Sequence, residues 1–83
     1  MYEVRLLPSG RRDLDDLPPS VFPRVKEALV ALRQNPRPIG CIKLTAEEGY
    51  RIRAGDYRIL YRIDDRVKQV FIYRVKHRRE VYH

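Results

Sequence analysis

The sequence predicts an α+β domain of order β-α-α-β-β-β, with two N-terminal helices packed on one face of a mainly antiparallel sheet. Three observations lead there. The first half of the chain carries apolar residues at three- and four-residue spacing, as helices do. From Tyr50 onward the period falls to two, as in strands. Between these regions, clusters of Pro, Gly, Asn and Asp cut the chain into short pieces. Eighty-three residues give room for one small domain, 1–83, with one modest core.

Met1 to Leu7 alternates weakly and reads as a first strand. Pro8-Ser9-Gly10 breaks it, and Ser9 is placed to cap a short helix carrying Leu14 and Leu17. Pro18-Pro19-Ser20 then opens a longer helix. Its apolar stripe is Val21, Phe22, Val25, Ala28, Leu29 and Leu32. Pro23 fits because the first helical turn has N–H groups without intrahelical partners. Asn35-Pro36-Arg37-Pro38 ends this helix, and Ile39 to Gly49 is a connection without clear period.

In the next segment Tyr50 and Ile52 face one way, Arg51 and Arg53 the other. Ala54-Gly55-Asp56 is a tight turn. Tyr57, Ile59, Tyr61 and Ile63 share a face, opposed by Arg58, Leu60 and Arg62. After a turn at Asp64-Asp65-Arg66, simple alternation puts Val67, Gln69, Phe71, Tyr73 and Val75 on one side. Lys68, Val70, Ile72, Arg74 and Lys76 fall on the other. The aromatic faces are expected to meet the helices and the basic faces to look outward together.

Charge narrows the function. Eighteen Lys and Arg against 11 Asp and Glu give a net charge of +7, which suits a polyanionic partner. The excess is concentrated from Tyr50 on, where ten basic residues face Asp56, Asp64, Asp65 and Glu80. A solubilising surface is the ordinary reading of such charge. Here Arg51, Arg53, Arg58, Arg62, Arg74 and Lys76 would form one strip across neighbouring strands, and like charges side by side repel unless an anion lies between them. A phosphate-binding surface follows. The single cysteine, Cys41, excludes an internal disulfide and a cysteine-based metal site, and reads as an inert thiol. No apolar run reaches the roughly 18–20 residues of a membrane span, and Met1 to Leu7 is too short and charged for a secretory signal. The expected setting is the cytoplasm, with no membrane, cofactor or metal.

Tyr50-Arg51-Ile52-Arg53-Ala54-Gly55-Asp56-Tyr57-Arg58-Ile59-Leu60-Tyr61 resembles the RelE/ParE toxin superfamily. There a strand of type Y-[KR]-[IL]-[KR] precedes one of type G-x-[YW]-R-[IVL]-x-Y. Val75-Lys76-His77-Arg78-Arg79-Glu80-Val81-Tyr82 is similar to that superfamily's ending, in which a basic cluster leads to a tyrosine. Lys43-Leu44 matches the K-L before the first of these strands, and Leu17-Pro18 the opening of its second helix. The resemblance implies a toxin of a type II toxin–antitoxin system, a RelE-like mRNA interferase. Such a toxin enters the ribosomal A site, meets its rRNA, cuts mRNA there and is silenced by a cognate antitoxin. A ParE-like toxin of the same fold acts instead on DNA gyrase without catalysis. A degenerate RNA-binding module is a third reading.

Metal-free RNA cleavage uses the neighbouring 2′-hydroxyl as nucleophile. It needs a base, cations for the charge developing on the phosphoryl oxygens, and an acid for the departing 5′-oxygen. By position, the resemblance puts the paired basic residues on Arg51 and Arg53, the strand arginine on Arg58 and the terminal tyrosine on Tyr82. A further basic residue falls on Lys76 or Arg78, the latter being taken as catalytic. Lys43, Arg62, Arg74 and Lys76 are the expected RNA contacts. Arginine holds its proton too tightly to serve as a base, so the base is open between residues. His77 suits the role chemically, although alternation turns it away from Lys76. Tyr82 has three readings: stacking on a base, proton transfer, or closing the core edge. His83 reads as a frayed end.

Overall fold

A computed structural model describes residues 1–45 and 49–81. The element order is β1 (Glu3–Leu6), α1 (Pro8–Asp15), α2 (Phe22–Gln34), β2 (Ile42–Lys43), β3 (Tyr50–Ala54), β4 (Tyr57–Asp64), β5 (Gln69–His77) and α3 (Arg78–Val81). The five strands form one sheet in the order β1-β5-β4-β3-β2. β1 runs parallel to β5, and every other neighbour is antiparallel. This is the expected α+β arrangement, with β2 and α3 in addition. No described helix is long and apolar enough to cross a membrane.

The core lies between α2 and one face of the sheet. Val25, Leu29 and Leu32 of α2 meet Ile52, Ala54, Ile59, Tyr61, Val70, Ile72 and Val75. Phe22, counted in the helical stripe, is instead 38% exposed, at the first residue of α2. The two-residue turn between β3 and β4 works because Gly55 adopts φ +63°, a conformation that side chains disfavour.

Helix α1 docks on β5 more closely than a side-chain layer would allow. Gly10 packs on the Ile72 backbone, where a methyl would overlap the carbonyl oxygen. Ser9 is no cap. The N-cap is Leu7, and the Ser9 hydroxyl instead donates to the Tyr73 carbonyl at 2.6 Å. The reason is topological: β1 ends at Leu6, so beyond Ile72 the edge of β5 has lost its strand partner, and α1 side chains satisfy it.

The alternation expected along β5 fails at a β-bulge. Leu60 of β4 faces Arg74 but Tyr61 faces Ile72, leaving Tyr73 as the extra residue. The side-chain sequence is therefore out of step across the bulge. Val70 and Ile72 join Val75 in the core, while Phe71 moves to the face of Arg74 and Lys76. One inserted residue thus buries both apolar halves of a strand whose sequence does not alternate strictly.

Candidate nucleic-acid interface

The sheet face away from α2 is built in rows set by strand register. Arg53 of β3, Arg58 of β4 and Lys76 of β5 stand side by side. The next row is Ile42, Arg51, Leu60 and Arg74. Beyond the bulge, Arg62, Phe71 and Arg5 make a third. Neighbours in a row lie roughly 5 Å apart at their backbones, within reach of one phosphate group. Arg58 at the centre is only 4% exposed, whereas Arg53 is exposed and Lys76 half-buried. Helix α3 rests against β4 and β5 on this side, with Glu80 3.5 Å from the Lys76 ammonium.

The strip is held by a carboxylate from outside the sheet. Asp13 of α1 is buried, and its Oδ2 accepts from Arg74 Nε at 3.0 Å and from the Val75 N–H at 2.9 Å. Its Oδ1 lies 3.3 Å from Lys76 Nζ. Further along, the Arg62 guanidinium stacks over Tyr73 at 5.6 Å, next to an open cleft of about 630 Å³ that Leu7, Arg62 and Phe71 help to line.

Three of the candidates from the sequence stand off this strip. His77 lies on the opposite face, as alternation along β5 requires. It pairs with Tyr57 on the helix side, edge-to-face at 5.4 Å, and borders a 280 Å³ pocket with Arg24 of α2. Alternation separates it from Lys76 by the thickness of the sheet. Arg78 is also outside the strip: it opens α3 as an exposed residue, its N–H donating to the Asp56 carbonyl at 2.8 Å. Lys76 is the residue in register with Arg58. Lys43 pairs with Tyr50 and so takes a helix-side position on the edge strand, while Ile42 takes the outward one. Arg51, Arg53, Arg58, Arg62, Arg74 and Lys76 do share the outward face. Tyr82 and His83 lie outside the described residues.

At the far end of the domain a second charged cluster has a structural role. Arg37 forks onto Asp65 at 3.0 and 3.2 Å, and the Tyr2 hydroxyl donates to the same carboxylate at 2.6 Å. These bonds, Arg37's first, hold the Asp65 carboxyl below the usual range and raise the pKa values of both partners. Nearby the fully buried Tyr61 donates to the Pro36 carbonyl at 2.7 Å, and burial pushes its phenol up. Together they tie the segment leaving α2 to the sheet.

A family model described as the ParE toxin of type II toxin–antitoxin systems matches residues 4–82. Toxin RelG of Mycobacterium tuberculosis is 40% identical over 83 residues, spanning 98% of this chain and 95% of that protein. Among solved structures, the toxin–antitoxin complex RelBE2 from the same organism aligns with a TM-score of 0.81 at 40% identity, covering 92% of this chain and 96% of that one. The archaeal RelE–RelB complex from Pyrococcus horikoshii aligns at 0.80 and 31%, covering 93% and 94%. The chain belongs to the RelE/ParE superfamily of type II toxins. The family and fold expected from the Tyr50–Tyr61 motif are those found.

In this toxin, Asp13 and the bulge at Tyr73 are what sequence reasoning missed. Asp13 carried a signal. It falls with Gly10 and the partly buried Leu14 on the packed stripe of α1, and an acid on the buried side of a basic domain implies a cationic partner. Among the described residues, no three His, Cys, Asp or Glu side chains converge as a metal-binding set.

Proposed function

We propose that this toxin is a ribosome-dependent mRNA endonuclease that cuts in the A site by 2′-hydroxyl attack, and that a cognate antitoxin silences it. The observation that carries the reading is the row Arg53–Arg58–Lys76, three cations in register on one sheet face. In the proposed reaction O2′ bonds to phosphorus, the bond to O5′ breaks, a base takes the 2′ proton and O5′ gains one. Charge then grows on the phosphoryl oxygens. Donors already fixed in place stabilise it more than water can, because they need no reorganisation. Arg58 is the central group of the row, between Arg53 and Lys76, and its guanidinium fork matches two phosphoryl oxygens at once. Arg51, Arg53, Arg62 and Arg74 steer and hold the flanking phosphates. Lys76 is the one group of the row that can exchange a proton as well as carry charge. That favours it over His77 and Arg78 for protonating O5′. Tyr82 stacks on a base or joins the proton transfer.

A basic strip and a small core both gain from an acidic, amphipathic partner chain, and the RelE relatives are seen in complexes with RelB. The matched family model carries the ParE name, so a non-enzymatic toxin acting on DNA gyrase is the rival reading. A purified translation system tests them. Cleavage within the A-site codon, lost in Arg58→Ala, supports the nuclease; intact mRNA at saturating toxin with inhibited supercoiling supports the rival.

A further inference from the structure

We infer that Asp13 is a positioning residue for the proposed cleavage, fixing the Lys76 ammonium beside the Arg58 guanidinium from across the edge of β5. The inference rests on the cleavage reading and assigns it a residue outside the sheet.

The geometry begins with two backbone facts. β1 stops at Leu6, so β5 loses its parallel partner after Ile72, and the bulge at Tyr73 then shifts Arg74, Val75 and Lys76 by one residue relative to the strand before it. This stretch would be an open, irregular edge. Helix α1 closes it. Gly10 allows backbone contact with Ile72, Ser9 caps the Tyr73 carbonyl, and one turn later Asp13 takes the Val75 N–H. With its Oδ2 engaged at the edge, the carboxylate meets the side chains on either side of Val75, which point to the outward face. Arg74 is bound through Nε and Lys76 through Nζ.

A carboxylate with a side chain only 7% exposed is costly to bury unless its acceptor sites are filled by charged donors. Here all the donors come from three successive residues of β5. The arrangement does more than neutralise Asp13. Lys76 stands in register with Arg58, and Arg58 with Arg53, so repulsion would swing the flexible lysine towards solvent. Asp13 at 3.3 Å, together with Glu80 at 3.5 Å, supplies the opposing charge. Asp13 is fixed by its backbone bond to Val75, whereas Glu80 is exposed. Asp13 therefore sets where the ammonium sits.

The test is a double-mutant cycle on single-turnover cleavage of ribosome-bound mRNA, with Asp13→Asn, Lys76→Ala and the pair, alongside melting of each protein. Asp13→Asn keeps an acceptor for Val75 and removes the charge. It should slow cleavage by about tenfold to a hundredfold, as misplacing a reacting group does, while toxin binding to the ribosome is retained. In the Lys76→Ala background the same change should cost several-fold less than in wild type, the remainder being what Arg74, the carboxylate's other cation, carries. Asp13→Glu, keeping the charge, should recover part of the rate, and it runs through the same cycle if Asp13→Asn melts below the assay temperature. Losses that multiply across the two backgrounds would overturn the positioning role and leave a structural one. So would an unchanged rate in Asp13→Asn. Wild-type toxin that cuts no mRNA would overturn the cleavage reading and this role with it.

Discussion

Gly10→Ala sets two known effects against each other at the α1–β5 contact. Alanine favours a helix interior over glycine by about 1 kcal/mol, so on helix propensity alone the variant should be more stable. The structure says otherwise. A methyl at this position would lie 2.9 Å from the Ile72 carbonyl carbon and closer still to its oxygen, where ordinary contact begins near 3.4 Å. The helix would have to move back by at least about half an ångström. The obstruction is backbone, which cannot rotate aside, so the upper part of the usual overpacking range of roughly 1–3 kcal/mol applies. Subtracting the propensity gain leaves a net loss of about 1–2 kcal/mol. For a domain of this size that lowers Tm by roughly 4–16 °C. Thermal melting by circular dichroism measures it. The displaced helix also carries Asp13 away from Lys76, so cleavage should slow in the same variant. A Tm equal to or above wild type would refute the close approach of α1, and with it the account of how Asp13 reaches the sheet face.

Tyr61→Phe removes the hydroxyl that satisfies the Pro36 carbonyl and should cost about 1–3 kcal/mol in urea unfolding, an unchanged midpoint contradicting the buried bond. Asp65 makes stability depend on acid. Its folded pKa is depressed by Arg37 and Tyr2, so its contribution is complete above the unfolded value of about 3.9 and is lost as pH falls through the folded value. Asp65→Asn should therefore flatten the acid side of a stability–pH curve, and a parallel curve would sink the assignment. Arg53→Gln, removing an exposed cation from the central row, should lower the slope of log K against log salt for a short single-stranded RNA by about 0.7. An unchanged slope would place the RNA elsewhere.

Much of the fold was legible because its signals are local. The three-and-four spacing of Val25, Leu29 and Leu32 marked α2, the turn at Gly55 marked the β3–β4 hairpin, and the alternation of Arg51, Arg53, Arg58 and Arg62 marked the basic face. What escaped depends on pairing between distant segments. The bulge at Tyr73 shows only once β4 lies beside β5, and strict alternation puts Phe71, Val70 and Ile72 on the wrong faces. Ser9 read as a helix cap because its real acceptor, the Tyr73 carbonyl, is 64 residues away. Within the site, position along the sequence allows Lys76 or Arg78 and favours Arg78 as the catalytic one, whereas it is Lys76 that stands in register with Arg58. His77 shows the converse: alternation alone already turned it away from Lys76, and the pairing with Tyr57 agrees.

The central claim is that the row of Arg53, Arg58 and Lys76 cuts mRNA. The direct measurement maps 5′ ends on a defined mRNA in a purified translation system, with wild-type toxin and Arg58→Ala at equal ribosome occupancy. The account predicts cleavage within the A-site codon by wild type, and a rate lower by about a hundredfold or more when the central guanidinium is removed. Full-rate cleavage by Arg58→Ala, or intact mRNA beside inhibited gyrase supercoiling with the wild-type protein, would contradict it.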